Sequence, residues 1–136
     1  GSVATPDDMQ LVQKLFKLVG TVHIVNESQM NAVTGLSGTG PVYIATVVEG
    51  LAEGGILAGL PANLAYTLAV QTVKGAAQLL IATGEHPAVM RDGVCTPGGT
   101  GISAVNVLES GGLRSTLIDA ISLAVNRSTE LDNSAK

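Results

Sequence analysis

The sequence predicts an all-helical domain whose apolar surface is completed by another chain. Three observations carry this reading. Apolar residues recur at helical spacing between segments punctuated by Gly and Pro. Hydrophobic content is 46% but aromatic content only 2%, so the core must be built from Leu, Val, Ile and Ala. Glycine occurs 17 times, and small side chains let helices approach closely while filling little volume per residue. A chain of 136 residues is one domain by default and buries roughly two thirds of its unfolded surface. The apolar surplus therefore points to a partner chain.

The elements follow in order. Thr5-Pro6-Asp7-Asp8 reads as a helix start, with a capping Thr, Pro at the first helical position and acids at the positive helix end. Val12, Leu15, Phe16 and Val19 then recur on one face, and Gly20 stops the helix. Thr21–Val25 is a short β-type run, and a lone strand needs a partner from a sheet or another chain. Asn26-Glu27-Ser28 opens a short helix through Val33, which the Gly-rich stretch from Gly35 to Pro41 interrupts. From Pro41 to about Leu57 the chain is apolar nearly all round except Glu49 and Glu53, which marks a central helix. After Gly59-Leu60-Pro61 a second long helix runs from Pro61 to Thr83, with Ala65, Leu68, Ala69, Val73, Ala76 and Leu80 on its apolar stripe. Gly84 is its natural C-terminal stop. His86-Pro87 starts a short helix through about Arg91. A further helix covers Ile102–Glu109, and the last runs from Leu113 to Leu131 with Leu117, Ile121, Ala124 and Val125 inward. Residues 132–136 read as a frayed polar tail, and Gly1-Ser2 as a remnant of cloning.

Charge and composition exclude several function classes. The net charge is −4 with seven Lys and Arg, so no basic patch or stacking platform serves nucleic acid. Two long uncharged stretches, Ser28–Val48 and Gly54–Val73, carry Gly, Pro or Asn inside and do not read as bilayer spans. The single cysteine, Cys95, rules out an internal disulfide and fits a reducing compartment, so a cytoplasmic location is expected.

The loop Thr96-Pro97-Gly98-Gly99-Thr100-Gly101 is the best candidate for chemistry. Its glycines free several N–H groups to point one way, a helix follows immediately, and Thr96 and Thr100 add hydroxyls. Such a loop holds phosphate or carboxylate, or is a plain interhelix turn; both readings stand. The Gly35–Gly40 stretch lacks the spacing and the βαβ context of a dinucleotide fingerprint and reads as a packing break. His23 and His86 have no metal-ligand spacing and read as structural, so no metal is expected. Cys95 has no evident base beside it, Glu49 and Glu53 share a helix face, and Glu27 is an acid at a helix start.

The stretch Asn31-Ala32-Val33-Thr34-Gly35-Leu36-Ser37-Gly38-Thr39-Gly40-Pro41 closely resembles the pyrroline-5-carboxylate reductase family. The resemblance continues through Gly54-Gly55, Gly59-Leu60-Pro61, Gln71-Thr72-Val73, Gly75-Ala76-Ala77, Thr83-Gly84, His86-Pro87, Thr96–Thr100 and Leu108-Glu109-Ser110-Gly111-Gly112-Leu113-Arg114. It covers residues 6 to 131 and implies the C-terminal dimerisation domain of an enzyme that reduces L-pyrroline-5-carboxylate to L-proline with NADP or NAD as cofactor. Residues 3–26 are then the end of a Rossmann dinucleotide-binding domain, a helix and a strand. Residues 27–131 form the helical dimerisation domain, which assembles as a homodimer or a decamer. An isolated chain of this kind is expected to be inactive, because most of the cofactor site lies in the other domain.

The resemblance assigns Glu27, Thr96, Thr100 and Gly101 to the substrate, Thr100 to catalysis, and Gly93 to contact with the nucleotide. One departure stands out. The family motif ends Gly-Gly-Thr-Thr-Ile or Gly-Gly-Ala-Thr-Ile, whereas here it is Gly99-Thr100-Gly101-Ile102. The hydroxyl that the family aims at the ring nitrogen is missing at Gly101, and a lost hydrogen bond to a charged group costs about 1.5–3 kcal/mol. A helical scaffold that has lost catalysis is the alternative reading.

Overall fold

A computed structural model of the chain describes residues 3–134, so the reading of Gly1-Ser2 lies outside the described residues. Among the described residues seven α-helices form: α1 Pro6–Phe16, α2 Met30–Val33, α3 Gly40–Leu57, α4 Ala62–Thr83, α5 Pro87–Val94, α6 Thr100–Ser110 and α7 Leu113–Ser134. A 3₁₀ turn at Glu27–Gln29 precedes α2, and a π-helical turn at Thr34–Gly38 follows it. The chain divides into two compact units, one up to Met30 and one from Asn31.

In the first unit, the Thr5 hydroxyl accepts the Asp8 N–H at 3.2 Å, and the Asp8 carboxylate accepts the Thr5 N–H at 2.8 Å. This reciprocal cap satisfies donors that a helix start leaves orphaned. The Thr5 hydroxyl, which donates to Asp8 Oδ2 at 2.6 Å, and then the Thr5 N–H hold the Asp8 carboxyl below its usual range. The run Thr21–Val25 forms no strand, nor does any other described segment. Its β-favouring residues have no neighbouring strand to pair with, so propensity alone leaves the backbone irregular.

The second unit is built on close backbone approach. Helices α3 and α4 pack together through a four-residue connection. Gly59, at φ +100°, closes α3: the Leu60 N–H bonds the Gly55 carbonyl at 3.0 Å and the Gly59 N–H bonds the Ile56 carbonyl at 2.9 Å. This is the paired left-handed cap that ends many helices. A β-carbon at Gly55 would stand 3.3 Å from Leu60 Cδ1 and 3.4 Å from Ala65 Cβ, so the glycine lets the folded-back Leu60 and α4 come close. Among the described residues the buried hydrophobic ones are three alanines, Ala52, Ala65 and Ala69, with Val48 packed beside them.

The stretch around Gly35–Gly40 does not interrupt the helix as the sequence suggests. It widens into a π-turn in which the Thr39 N–H reaches the Thr34 carbonyl at 2.9 Å, and α3 begins at once at Gly40. The wide turn presents Gly35 to α7. A β-carbon there would lie 2.6 Å from Val125 Cγ2 and 3.3 Å from the Ile121 carbonyl. Tyr43 donates its hydroxyl to the Gly35 carbonyl at 3.0 Å. Asn31 donates to Thr129 Oγ1 at 3.2 Å and accepts from Ser128 Oγ at 2.8 Å, so both ends of its amide are held by α7. Leu117, Ile121, Ala124 and Val125 are partly buried, as the sequence predicts. The tail differs from expectation: α7 continues to Ser134, whose hydroxyl bonds the Glu130 carbonyl at 3.1 Å.

Much apolar surface stays open. Leu51, Leu64, Leu68, Leu79, Ile118 and Leu123 are 43–71% exposed on the long helices. No helix is long and apolar enough to cross a membrane among the described residues.

Gly35 gives a direct test of close approach. Gly35→Ala pushes against the α7 backbone as well as a side chain, so we expect a destabilisation of about 1–3 kcal/mol in urea unfolding. A change near zero would mean that α7 shifts freely.

Candidate functional site

The loop between α5 and α6 begins where Cys95 leaves the helix in an extended conformation. Thr96 to Gly99 make a tight turn: Pro97 is second, Gly98 third at φ +69°, and the Gly99 N–H bonds the Thr96 carbonyl at 3.0 Å. Pro fixes the φ of the second position, and the left-handed third position favours Gly. Gly99 then caps α6 without a side chain. A β-carbon on Gly99 would overlap Thr96 Oγ1, so the Thr96 hydroxyl lies directly over the cap.

Helix α6 starts at Thr100, two residues before the sequence suggests. The N–H groups of Thr100, Gly101 and Ile102 therefore precede the first intrahelical bond and face out of the helix end. With the positive end of the helix dipole, they can receive a carboxylate or phosphate oxygen. Thr96 and Thr100 are exposed beside them. Ser103 cannot join them in this arrangement, because its hydroxyl donates to the Gly99 carbonyl at 3.1 Å.

Gly101 has a steric role that the sequence does not disclose. Its missing β-carbon would stand 3.0 Å from the Val94 carbonyl and 3.6 Å from Cys95 Sγ. That direction points at the end of α5, so the glycine lets the first turn of α6 come close to the end of α5. A Thr here must push the Val94 carbonyl aside by a few tenths of an ångström.

The structure thus brings Thr96, Thr100 and Gly101 together in one loop. Gly93 lies one residue from the end of α5, with open space where a side chain would go. Glu27 belongs to the other unit, at the start of the 3₁₀ turn, and is exposed. His86 caps α5, its Nδ1 accepting the Ala88 N–H at 3.2 Å, which is the structural role expected for it. The described residues contain no group of three His, Cys, Asp or Glu placed to hold a metal. They also contain no strand, and hence no βαβ cradle that fits a dinucleotide.

Sequence reasoning missed a charge cluster behind the loop. Arg91 on α5 is aligned by Asp92, which accepts its Nε at 3.0 Å and its Nη2 at 2.8 Å. Arg91 Nη1 lies 3.8 Å from Glu109 Oε1 on α6, and Arg114 on α7 donates to the same oxygen. The three residues border a cleft of about 170 Å³ floored by Val105, Leu108 and Leu113. Asp92 raises the guanidinium pKa of Arg91. The Glu109–Arg114 pair spans Gly111-Gly112 and is visible as opposite charges near a turn; the Arg91 link has no local signal.

Residues 27–131 match the family model described as pyrroline-5-carboxylate reductase dimerisation. The chain is 49% identical over 134 residues to a pyrroline-5-carboxylate reductase of Arabidopsis thaliana, covering 98% of this chain and 49% of the relative. It is 51% identical over 126 residues to one from a Synechocystis species, covering 93% and 47%. Among solved structures, a pyrroline-5-carboxylate reductase from Coxiella burnetii superposes with TM-score 0.89 at 38% identity, covering 96% of this chain and 49% of that one. A Plasmodium falciparum pyrroline carboxylate reductase with NADP bound gives 0.88 at 26% identity, covering 94% and 52%. The chain spans about half the length of the curated relatives it matches.

The Glu109 ion pairs have a testable pH dependence. Arg114, and secondarily Arg91, hold the Glu109 carboxyl below its ordinary value of 4.5. A depressed carboxyl contributes stability that is present above the unfolded value and lost as pH falls through the folded one. We expect the Glu109 carboxyl resonance to titrate below 4.5 in NMR, and Arg114→Gln to move the midpoint upward. A midpoint unchanged by that substitution would remove the ion pair.

Proposed function

Because the chain belongs to the pyrroline-5-carboxylate reductase dimerisation family, we propose that it is the self-associating half of such a reductase and carries its substrate-carboxylate loop. The whole enzyme reduces L-pyrroline-5-carboxylate to L-proline with NADPH or NADH, in proline biosynthesis in the cytoplasm. The observation that carries the self-association is the core itself: among the described residues three alanines are buried while leucines on the long helices stand open. Such surface finds stability against a second copy. The assembly is a homodimer, or a decamer built from dimers.

Within this reading, the N–H groups at the start of α6 and the hydroxyls of Thr96 and Thr100 hold the substrate carboxylate. The backbone of Gly101 belongs to the same cradle, and Glu27 is the acid near the substrate. Thr100 is the loop hydroxyl available to donate toward the ring nitrogen. Gly93 is the position beside the nucleotide. The dinucleotide itself needs a cradle that the described residues do not form, so no hydride step is assigned to them.

Light scattering of the purified chain tests the assembly. We expect a dimer or a multiple of it, and a clean monomer would overturn the reading. Leu68, 47% exposed on α4 beside the α3–α4 groove, is the sensitive position. Leu68→Lys places a charge on the open face without filling the buried core, so we expect a mass shift toward monomer with helix content retained. The chain alone should show no NADPH-dependent reduction of pyrroline-5-carboxylate; measurable turnover would mean that it holds the dinucleotide by itself.

A further inference from the structure

We propose that Glu109 is a positioning residue for the carboxylate loop, acting through Arg91; this rests on the reading of Thr96–Gly101 as that loop. Helices α5 and α6 are the two legs joined by the loop, and α5 has no buried residue to anchor it. At the loop end, the legs meet where Gly101 approaches the Val94 carbonyl. A joint fixed at one point can still hinge. The second point is the Arg91–Glu109 pair at 3.8 Å.

The helix rise sets the lever. Four residues separate Arg91 from Cys95, about 6 Å along α5, and nine separate Thr100 from Glu109, about 14 Å along α6. The long Arg91 side chain bridges that offset across the cleft, passing Val105 and Leu108. Asp92 aligns it for the reach by taking Nε and Nη2 and leaving Nη1 toward Glu109. Arg114 holds the same Glu109 oxygen from α7, so the α6 end of the brace is itself restrained. Two arginines meet at one carboxylate, and the hairpin angle between α5 and α6 depends on the Arg91 arm, the one that links these two helices. The angle sets where Thr96 stands relative to the N–H groups of Thr100 and Gly101.

Exposed ion pairs act weakly one at a time, so the effect is local and modest. The amides to watch are Gly99 and Ser103, whose N–H groups bond the Thr96 and Gly99 carbonyls at 3.0 and 3.4 Å in the loop and the first turn of α6. In the purified chain, Glu109→Gln and Arg91→Gln should each speed hydrogen exchange at these two amides about three- to fivefold. They should weaken L-proline binding, read from amide shifts at Gly98–Ile102, by a similar factor. Arg114→Gln removes only the α7 restraint and should stay within about twofold of the parent on both readouts. Amides of α3 and α4 report on global stability and should not move. Unchanged exchange in both Glu109→Gln and Arg91→Gln overturns the proposal, as does an equal acceleration across α3 and α4. If the parent chain fails to bind L-proline, the carboxylate reading of the loop falls, while the exchange comparison still decides whether Glu109 sets the joint.

Discussion

The structure depends on how closely helix backbones can approach when the side chains between them are small. With one Phe, two Tyr and no Trp, the chain has no large residue to fill wide gaps between helices. The gaps must therefore be narrow. Ala52, Ala65 and Ala69 bring α3 and α4 together, and Gly55 gives space to Leu60 and Ala65. Gly35 does the same against α7. Dispersion energy falls off steeply with separation, so contacts this short recover packing that bulk would supply elsewhere. The consequence is a thin core. Leu51, Leu64 and Leu68, each next to one of these alanines in sequence, remain exposed, and a second copy is the natural partner for them.

The same constraint shapes the candidate site. The loop Thr96–Gly101 is held by short-range backbone contacts: Thr96 over Gly99, and Gly101 against Val94. Glycine at 101 is thus both a departure from the family motif and a packing solution. The chain gives up a hydroxyl at that position and gains a close approach of the start of α6 to the Val94 carbonyl. The carboxylate-holding capacity proposed for the loop rests on N–H groups, which every residue type except proline provides, so the exchange does not touch it. What the exchange removes is a side-chain donor, and Thr100 is left as the neighbouring hydroxyl on the loop.

Much of this was legible in the residues. Thr5, Pro6 and Asp8 announced the start of α1, and Gly59 and Gly84 the ends of α3 and α4, because capping chemistry is local. The stripe through Leu117, Ile121 and Val125 was legible because helical periodicity is local too. The failures have a common cause. At Thr21–Val25, β-favouring residues suggested a strand, but strand formation is decided by a neighbour that the local sequence does not contain. At Gly35–Gly40, three glycines suggested a break; the outcome was a π-turn held by Tyr43 and by packing on Val125, contacts from 8 and 90 residues away. The loop was found from its glycines, whereas its brace at Arg91 and Glu109 joins residues 18 apart that no periodic pattern links.

Thin packing and a backbone-built site have a mechanical implication for each other. A hairpin such as α5–α6, with no fully buried side chain on either leg, has little burial to hold its angle. Its geometry must come from a few directed contacts, and these are the turn hydrogen bonds, the Gly101–Val94 approach and the Glu109 charge cluster. Directed contacts of this kind are individually weak, so a site built on them is adjustable. Its shape can be tightened by a bound carboxylate that joins the free N–H groups at the start of α6. If the loop holds a carboxylate as proposed, binding and loop order reinforce one another, and the ligand supplies part of the rigidity that a larger core would have built in beforehand.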